Sequence, residues 1–482
     1  MKEVKKSIIT ALFLILPLVF GTIGQMQAGE MLLEAAFSTL TMYALNFSEP
    51  ARNGLVELAR WTAPLATAGG VAMLFAPVAR AVLARVNKLL GDSVIVYGDE
   101  EVYDRMKEDG RYHVARGKGD LLAADRYVLF GSEEENLDFY LKHRDALEKR
   151  EVYLRCKALS SQLTAGSRLH LYCMEEVGAR LFWRQSELVR QYAEKLSSSG
   201  DKTMHLVIVG FDRLGEELLT WGLQCNLFLP EQELHYTIFG DGGTFCSLHH
   251  ELRSIRKDTV TFMDTPWSGS LDVLQNADRI IVAEQSNQLA LVQEILFALT
   301  GKTLDVLAAK PEDLALIENQ ERLRIFNWKE EALRPENLFD EKTLGRAKAI
   351  NLRYAYLYSK VEETPENAER EWQKLNAFTR YSNISAADYH EIRLQQLALW
   401  GEQDDPKRIL PEHLEILSEL EHMRWCRYHY LNNWKYGEPV NGKAKNTAAR
   451  THSDLVDYST LTDEEKEKDR ENVRVLLQID KS

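Results

Sequence analysis

Cysteine is scarce in this chain of 482 residues and never clustered: Cys156, Cys173, Cys225, Cys246 and Cys426 are odd in number, widely spaced and form no C-x-x-C pair. A disulfide framework and a thiolate zinc site are therefore excluded, and the bulk of the chain is expected in a reducing compartment. An excess of positive charge is missing too. Lys and Arg total 59 against 73 Asp and Glu, a formal net charge of −14. Such a chain repels the phosphate backbone that a nucleic-acid binder must neutralise, so no nucleic-acid partner is expected. Disorder is excluded as well, because 45% of the residues are apolar. Metal ligands are few: Cys246, His249 and His250 form one short cluster without a partner, and no metal site is expected from it. Long uncharged runs are absent after residue 90 but present before it.

From Ser7 to Gly29 no residue is charged, and the core IITALFLILPLVFGTIG approaches the ~20 apolar residues that cross about 30 Å of hydrocarbon. A second uncharged window runs from Trp61 to Ala79, between Arg60 and Arg80. These windows predict spans over about 7–27 and 61–79. Lys2, Lys5 and Lys6 precede the first, and Arg80, Arg85 and Lys88 follow the second, while the connection carries Glu30, Glu34, Glu49 and Glu57. The positive-inside bias predicts a multi-pass protein of the plasma or inner membrane, in contact with the lipid bilayer, with both termini cytoplasmic. A cleaved signal peptide ending near Gln27-Ala28-Gly29 is the alternative for the first window.

Residues 31–50 are too apolar for an ordinary loop, and a re-entrant segment over about 31–47 is expected. This order of segments resembles the two-span pore-loop channel family. The resemblance implies pore residues at Thr39, Thr41, Tyr43 and Asn46, a gate hinge at Gly69 and Gly70, permeant ions as partners, and a homotetramer around one axis. The stretch Thr39 to Asn46 lacks the glycines that turn successive carbonyls into a potassium filter, so a potassium-type carbonyl cage is not expected. Gly69 and Gly70, with Ala66, Ala68 and Ala72, equally suit close helix packing.

After Lys88, short β-rich runs alternate with amphipathic stretches, the pattern of βα units and parallel sheets. Strands are expected at 93–97, 127–130, 152–154 and 169–172, followed by a long helix from Glu175 to Leu196, and then at 205–209, 235–239, 260–263, 279–283, 304–307 and 323–326. The second series suits a six-stranded doubly wound sheet. Gly210-Phe211-Asp212-Arg213-Leu214-Gly215 has the spacing of a dinucleotide-binding turn, with Asp212 in place of the middle glycine and Asp241 after the next strand. A carboxylate there repels the pyrophosphate that glycine would admit, so Gly210, Asp212, Gly215 and Asp241 are a weak cofactor site, and a scaffold role is favoured. Tandem units of this kind, with the motif VIVGFDRLGEEL, resemble the regulator-of-potassium-conductance (RCK, TrkA-N-like) gating modules. The resemblance implies conversion of ligand binding into movement at a pore.

Asp340 is a candidate N-cap for a helix running to Lys360, and Glu362 to Asn367 reads as a linker. Pro411 is placed to open a helix whose apolar stripe holds Leu414, Leu417, Trp425, Tyr428 and Leu431, with Glu421 and Arg424 as an inward ion pair. EHMRWCRYHYLNNWKYG, residues 421–437, with Trp372, Arg380, Ser382 and Asn383 upstream and the run from His452 to Asp469 downstream, is similar to the RyR domain, the repeat first known from ryanodine receptors. Trp425, Trp434 and Tyr436 offer stacking faces, while Asn383, Arg424 and Arg427 offer donors beside Glu421. Together these suit a nucleotide or a nucleotide-derived second messenger, although a core of mutually packed aromatics is the competing reading.

The expected fold is α/β with a membrane helical segment: a two-span pore-like domain at 1–90, two Rossmann-like doubly wound parallel sheets at 91–200 and 201–330, a crossover helix and linker at 331–365, and an all-α RyR domain at 366–482. The expected function is a ligand-gated ion channel or pore-forming effector, not an enzyme. A non-conducting nucleotide receptor is the alternative, and an NAD-dependent oxidoreductase is disfavoured by Asp212 and by the lack of an adjacent acid/base pair.

Overall fold

The computed structural model describes residues 2–47, 53–157, 168–318, 320–402 and 409–479, apart from the side chains of 2–14 and 69–75. The chain divides into two compact units, residues 1–96 with 112–125, and residues 97–111 with 126–482.

In the first unit, helices α1 (Lys2–Gln27), α2 (Leu32–Met42) and α3 (Gly54–Leu90) pack through small residues. A Cβ on Gly21 would lie 2.3 Å from the Thr39 side chain and 2.9 Å from that of Ala59, so only glycine lets these helices approach so closely. Asn53 caps α3, accepting from the N–H groups of Leu55 and Val56 while its amide donates to the Gly24 carbonyl at 2.7 Å. Met42, Val56, Ala59 and Ala63 form the apolar centre. Strand β1 (Ser93–Tyr97) pairs in parallel with β2 (His113–Arg116).

Among the described residues no helix is long and apolar enough to cross a membrane. This overturns the expected spans at 7–27 and 61–79, the two-span pore-like domain and the multi-pass membrane location. In α3 the described stretch beyond Arg60 is interrupted by Thr62, Pro64 and Thr67. The segment read as re-entrant is α2 and its C-terminal turn. Within it, Thr39 donates back to the Ala35 carbonyl and Thr41 to that of Ser38, both at 2.8 Å. The Tyr43 carbonyl accepts from Thr67, and the Asn46 N–H closes the turn onto the Thr41 carbonyl at 3.1 Å. Gly69 and Gly70 lie inside α3, outside the described side chains.

The second unit carries β3 (Arg126–Leu129), β4 (Glu151–Arg155) and β5 (Leu169–Tyr172), paired in parallel in that order. The expected 175–196 helix is broken. One helix, α4, spans Met174–Gln185, and the next begins after Glu187, whose φ of 54° turns the chain. The following sheet is fully parallel and six-stranded: β6 (Thr203–Val209), β7 (Glu233–Phe239), β8 (Thr259–Met263), β9 (Arg279–Val282), β10 (Leu304–Leu307) and β11 (Leu323–Phe326). Its order is β11-β10-β9-β6-β7-β8, the doubly wound arrangement, with a crevice where the order reverses between β6 and β9. Strands β9 and β10 are buried along their whole length, as strands covered by helices on both faces must be.

Helices α5 (Arg213–Cys225), α6 (Glu341–Ser359), α7 (Ala377–Leu399), α8 (Pro411–Leu431) and α9 (Asp463–Ile479) carry the site. Pro411 sits in the first turn of α8. Asp340 precedes α6 with a φ of 42° but makes no side-chain cap; its carboxylate instead pairs with Arg180 at 2.8 Å. Thr364 caps a helix over Pro365–Lys374 where a linker was expected. The C-terminal part is not purely helical, because Lys435–Tyr436, Thr451–His452 and Lys445–Asn446 form a small sheet. Two-residue strands carry too little periodicity to be seen in a sequence.

Candidate functional site

Helix α8 places Glu421, Arg424 and Trp425 toward α7 and α9. Glu421 is 1% exposed and accepts from Arg393 Nη2 at 2.6 Å, Arg424 Nη2 at 2.7 Å and Asn472 Nδ2 at 3.2 Å. Burial alone would raise its pKa, but the Arg424 and Arg393 guanidiniums outweigh burial and hold it below the usual carboxylate range. Arg424 also donates to Ser385 Oγ at 3.0 Å. Glu421 and Arg424, backed by Arg393, form the polar floor of a cavity of about 370 Å³ that α6, α7, α8, α9 and the small sheet enclose.

Aromatic faces and free polar groups line this cavity. Tyr354, Phe378 and Trp425 contribute rings. Most charges are already paired: Arg353 with Glu471, Lys468 with Glu465, and His422 with Asp469. Lys445 differs. Its ammonium lies 5.3 Å from the Phe378 ring centroid and 5.2 Å from that of Trp434, has no carboxylate partner among the described residues, and has its pKa lowered by burial. The Asn383 carboxamide also lacks a protein partner among the described residues.

Two histidines complete the wall. His429 Nδ1 donates to the Trp425 carbonyl at 2.8 Å, leaving Nε2 as an acceptor, and burial keeps the ring neutral by pushing its pKa well below the ordinary value. His452 Nδ1 accepts from the Asp454 N–H at 3.2 Å, so its proton is on Nε2. The cavity thus presents a cation, a neutral acceptor, a neutral donor and stacking faces.

Of the residues expected to bind ligand, Asn383, Glu421, Arg424 and Trp425 line this cavity. Arg427, Trp434 and Tyr436 are placed elsewhere. Arg427 is buried against Asp258 at 2.7 Å and the Leu223 carbonyl at 2.9 Å. Trp434 is 3% exposed and stacks behind Phe378, with centroids 5.2 Å apart. Tyr436 is exposed and bonds Glu438. Phe378 and Lys445 were missed because tertiary packing brings them in from outside the motif, whereas His429 and His452 lie within the segments similar to the RyR domain, where a histidine reads equally well as core.

The crevice of the six-stranded sheet, about 490 Å³ and more open, is lined by Gly210, Asp212, Asp241, Trp267 and Glu284. Gly210 has a φ of +99°, and a Cβ there would meet the Glu284 backbone at 2.4 Å; one on Gly215 would meet the Gly210 carbonyl oxygen at 2.4 Å. Both glycines therefore serve packing. Asp212 caps α5, accepting from the N–H groups of Leu214 at 3.1 Å and Gly215 at 3.4 Å, so its carboxylate occupies the place a pyrophosphate would take. Asp241 accepts from the Gly243 N–H at 2.9 Å. Cys246 is exposed, and His249 Nδ1 is committed to the Leu431 carbonyl at 2.6 Å.

Residues 405–479 match the RyR domain family, which accounts for α8, the small sheet and α9. Among solved structures, the chain is similar to the GsuK channel at 11% identity with a TM-score of 0.33, over 69% of this chain and 97% of that one. No curated protein matches.

Proposed function

We propose that the chain is a ligand sensor whose C-terminal cavity takes an anionic, nucleotide-type small molecule, a role of binding and not of turnover. The observation that carries this reading is Lys445, the one lining cation without a carboxylate among the described residues, set among stacking rings. A planar base suits the rings and a phosphate suits the lysine. His429 and His452 add a neutral acceptor and donor for a base edge.

Occupancy has a short path to the six-stranded sheet. Arg424 in the cavity floor donates to Ser385 Oγ, Ser385 Oγ donates to Gln224 Oε1 at 2.8 Å, and Gln224 lies in the last turn of α5, whose first turn borders the crevice. A ligand that favours one arrangement of these bonds shifts the population of the sheet's conformations.

Calorimetric titration of the full chain with mono-, di- and cyclic nucleotides tests the reading. Lys445→Gln is expected to weaken binding by roughly 10- to 100-fold, the worth of a charge-assisted contact of about 1.5–3 kcal/mol, with Lys445→Arg retaining most of it. Absence of binding throughout the panel, or equal affinity in Lys445→Gln, refutes it.

A further inference from the structure

A second, smaller cavity of about 110 Å³ lies on the other side of α8, and its wall includes Arg256, Lys257, His422, Cys426, Arg427 and Tyr458. His422 borders both cavities. Its Nδ1 lies 3.3 Å from the Asp469 carboxylate of α9, and its Nε2 lies 3.4 Å from Cys426 Sγ, with the Val456 carbonyl 2.9 Å from the same nitrogen. Helical spacing alone puts residues four apart on one face and so explains the nearness of His422 to Cys426. It explains neither the carboxylate delivered from another helix nor the carbonyl that fixes the ring.

The order thiol, imidazole Nε2, imidazole Nδ1, carboxylate is the one that activates a sulfur nucleophile, because an imidazolium held by a carboxylate stabilises a thiolate. Burial opposes the imidazolium here, but the Cys426 sulfur and Asp469 outweigh burial and hold His422 well above its ordinary pKa. An independent feature points to an occupant: Arg427 is 3% exposed, and its Nη2 has no hydrogen-bond partner among the described residues, although Nη1 is bound to Asp258 and Leu223. Arg256, exposed at the rim, has no carboxylate partner among the described residues. The other charged and titratable groups facing the site are Lys257, Glu419, Tyr430, Asp457 and Tyr458.

We propose that Cys426 is a nucleophilic modification site, primed by His422 and Asp469, that takes small carbon electrophiles bearing an anionic group. Reaction joins sulfur to carbon, the electrophile's leaving group departs with its bonding pair, and the imidazolium keeps its proton. Because His422 is shared, modification at Cys426 alters the wall of the larger cavity.

The test alkylates the full chain with iodoacetate and with iodoacetamide at neutral pH, and reads each cysteine by peptide mapping, with exposed Cys246 as the comparison. Cys426, although buried, is expected to react with iodoacetate faster than exposed Cys246. Its preference for iodoacetate over iodoacetamide should exceed that of Cys246 and fall in Arg256→Gln, a rim substitution that leaves the core intact. Asp469→Asn should slow Cys426 and leave Cys246 unchanged. The wild-type rates decide the matter even if that variant misfolds: a Cys426 rate no greater than that of Cys246, or labelling seen only in denaturant, overturns the proposal.

Discussion

Replacing Glu421 by glutamine preserves shape and removes one charge. Arg393 and Arg424 are 0% and 1% exposed, so the substitution leaves two guanidiniums in the interior without a counter-charge. Breaking a buried pair in this way costs about 3–5 kcal/mol. At about 2 °C per kcal/mol for a large domain, the unit should unfold about 6–10 °C lower. Differential scanning calorimetry of the full chain measures this, with Glu471→Gln as the comparison. Glu471 pairs with Arg353 at side-chain exposures of 18% and 28%, and its loss should cost less than about 1 kcal/mol. The pH dependence follows from the same pair. Because the folded pKa of Glu421 is depressed, its stabilisation is present above the ordinary value of 4.5 and is lost as pH falls through the folded value. Equal shifts in the two variants, or a Glu421→Gln shift below about 2 °C, would refute the view that this carboxylate holds the cavity floor together.

Gly215→Ala forces a Cβ to within 2.4 Å of the Gly210 carbonyl oxygen and should destabilise by about 1–3 kcal/mol, read by thermal unfolding; a neutral effect would show that the turn can widen. Asp212→Gly should cost only a few tenths of a kcal/mol as a cap, yet uncover the first turn of α5 and tighten NAD binding in calorimetry. Tight NAD binding by the unmodified chain would contradict that reading of Asp212.

The parallel sheets were legible because each strand is a short apolar run set off by turn residues. Leu304–Leu307 and Leu323–Phe326 agree with expectation to the residue. His113–Arg116 was invisible, since its side chains are mostly half-buried and two of its four residues are basic or titratable. The N-terminal helices were misread for a different reason. A window without charge is not the same as a uniformly apolar one, as Thr62, Pro64 and Thr67 show, and the closeness that Gly21, Thr39 and Ala59 impose is a property of three segments at once. In the cavity, α8 carried its own signal, so Glu421, Arg424 and Trp425 were found. Lys445 comes from a polar loop where nothing in the neighbouring residues distinguishes a pocket cation from a solvated one. Trp434 and Arg427 were chosen for their chemistry, which is as useful to a core or an internal ion pair as to a ligand.

The Arg427–Asp258 pair has a consequence for where one module ends. The segment matched to the RyR domain contains Glu421, Arg424 and Arg427, but their partners Arg393, Ser385 and Asp258 lie outside it. A boundary drawn from sequence similarity therefore cuts through three buried polar contacts; Glu421 and Arg424 keep each other, but Arg427 loses its carboxylate and is left an orphaned charge in the excised piece. Inheritance and autonomy are separate here: the segment is recognisable alone, but the cooperative unit that folds includes α7 and the edge of the six-stranded sheet. Truncation before residue 405 should yield an aggregating or unfolded fragment, and any graft of this segment onto another protein must carry its foreign partners with it.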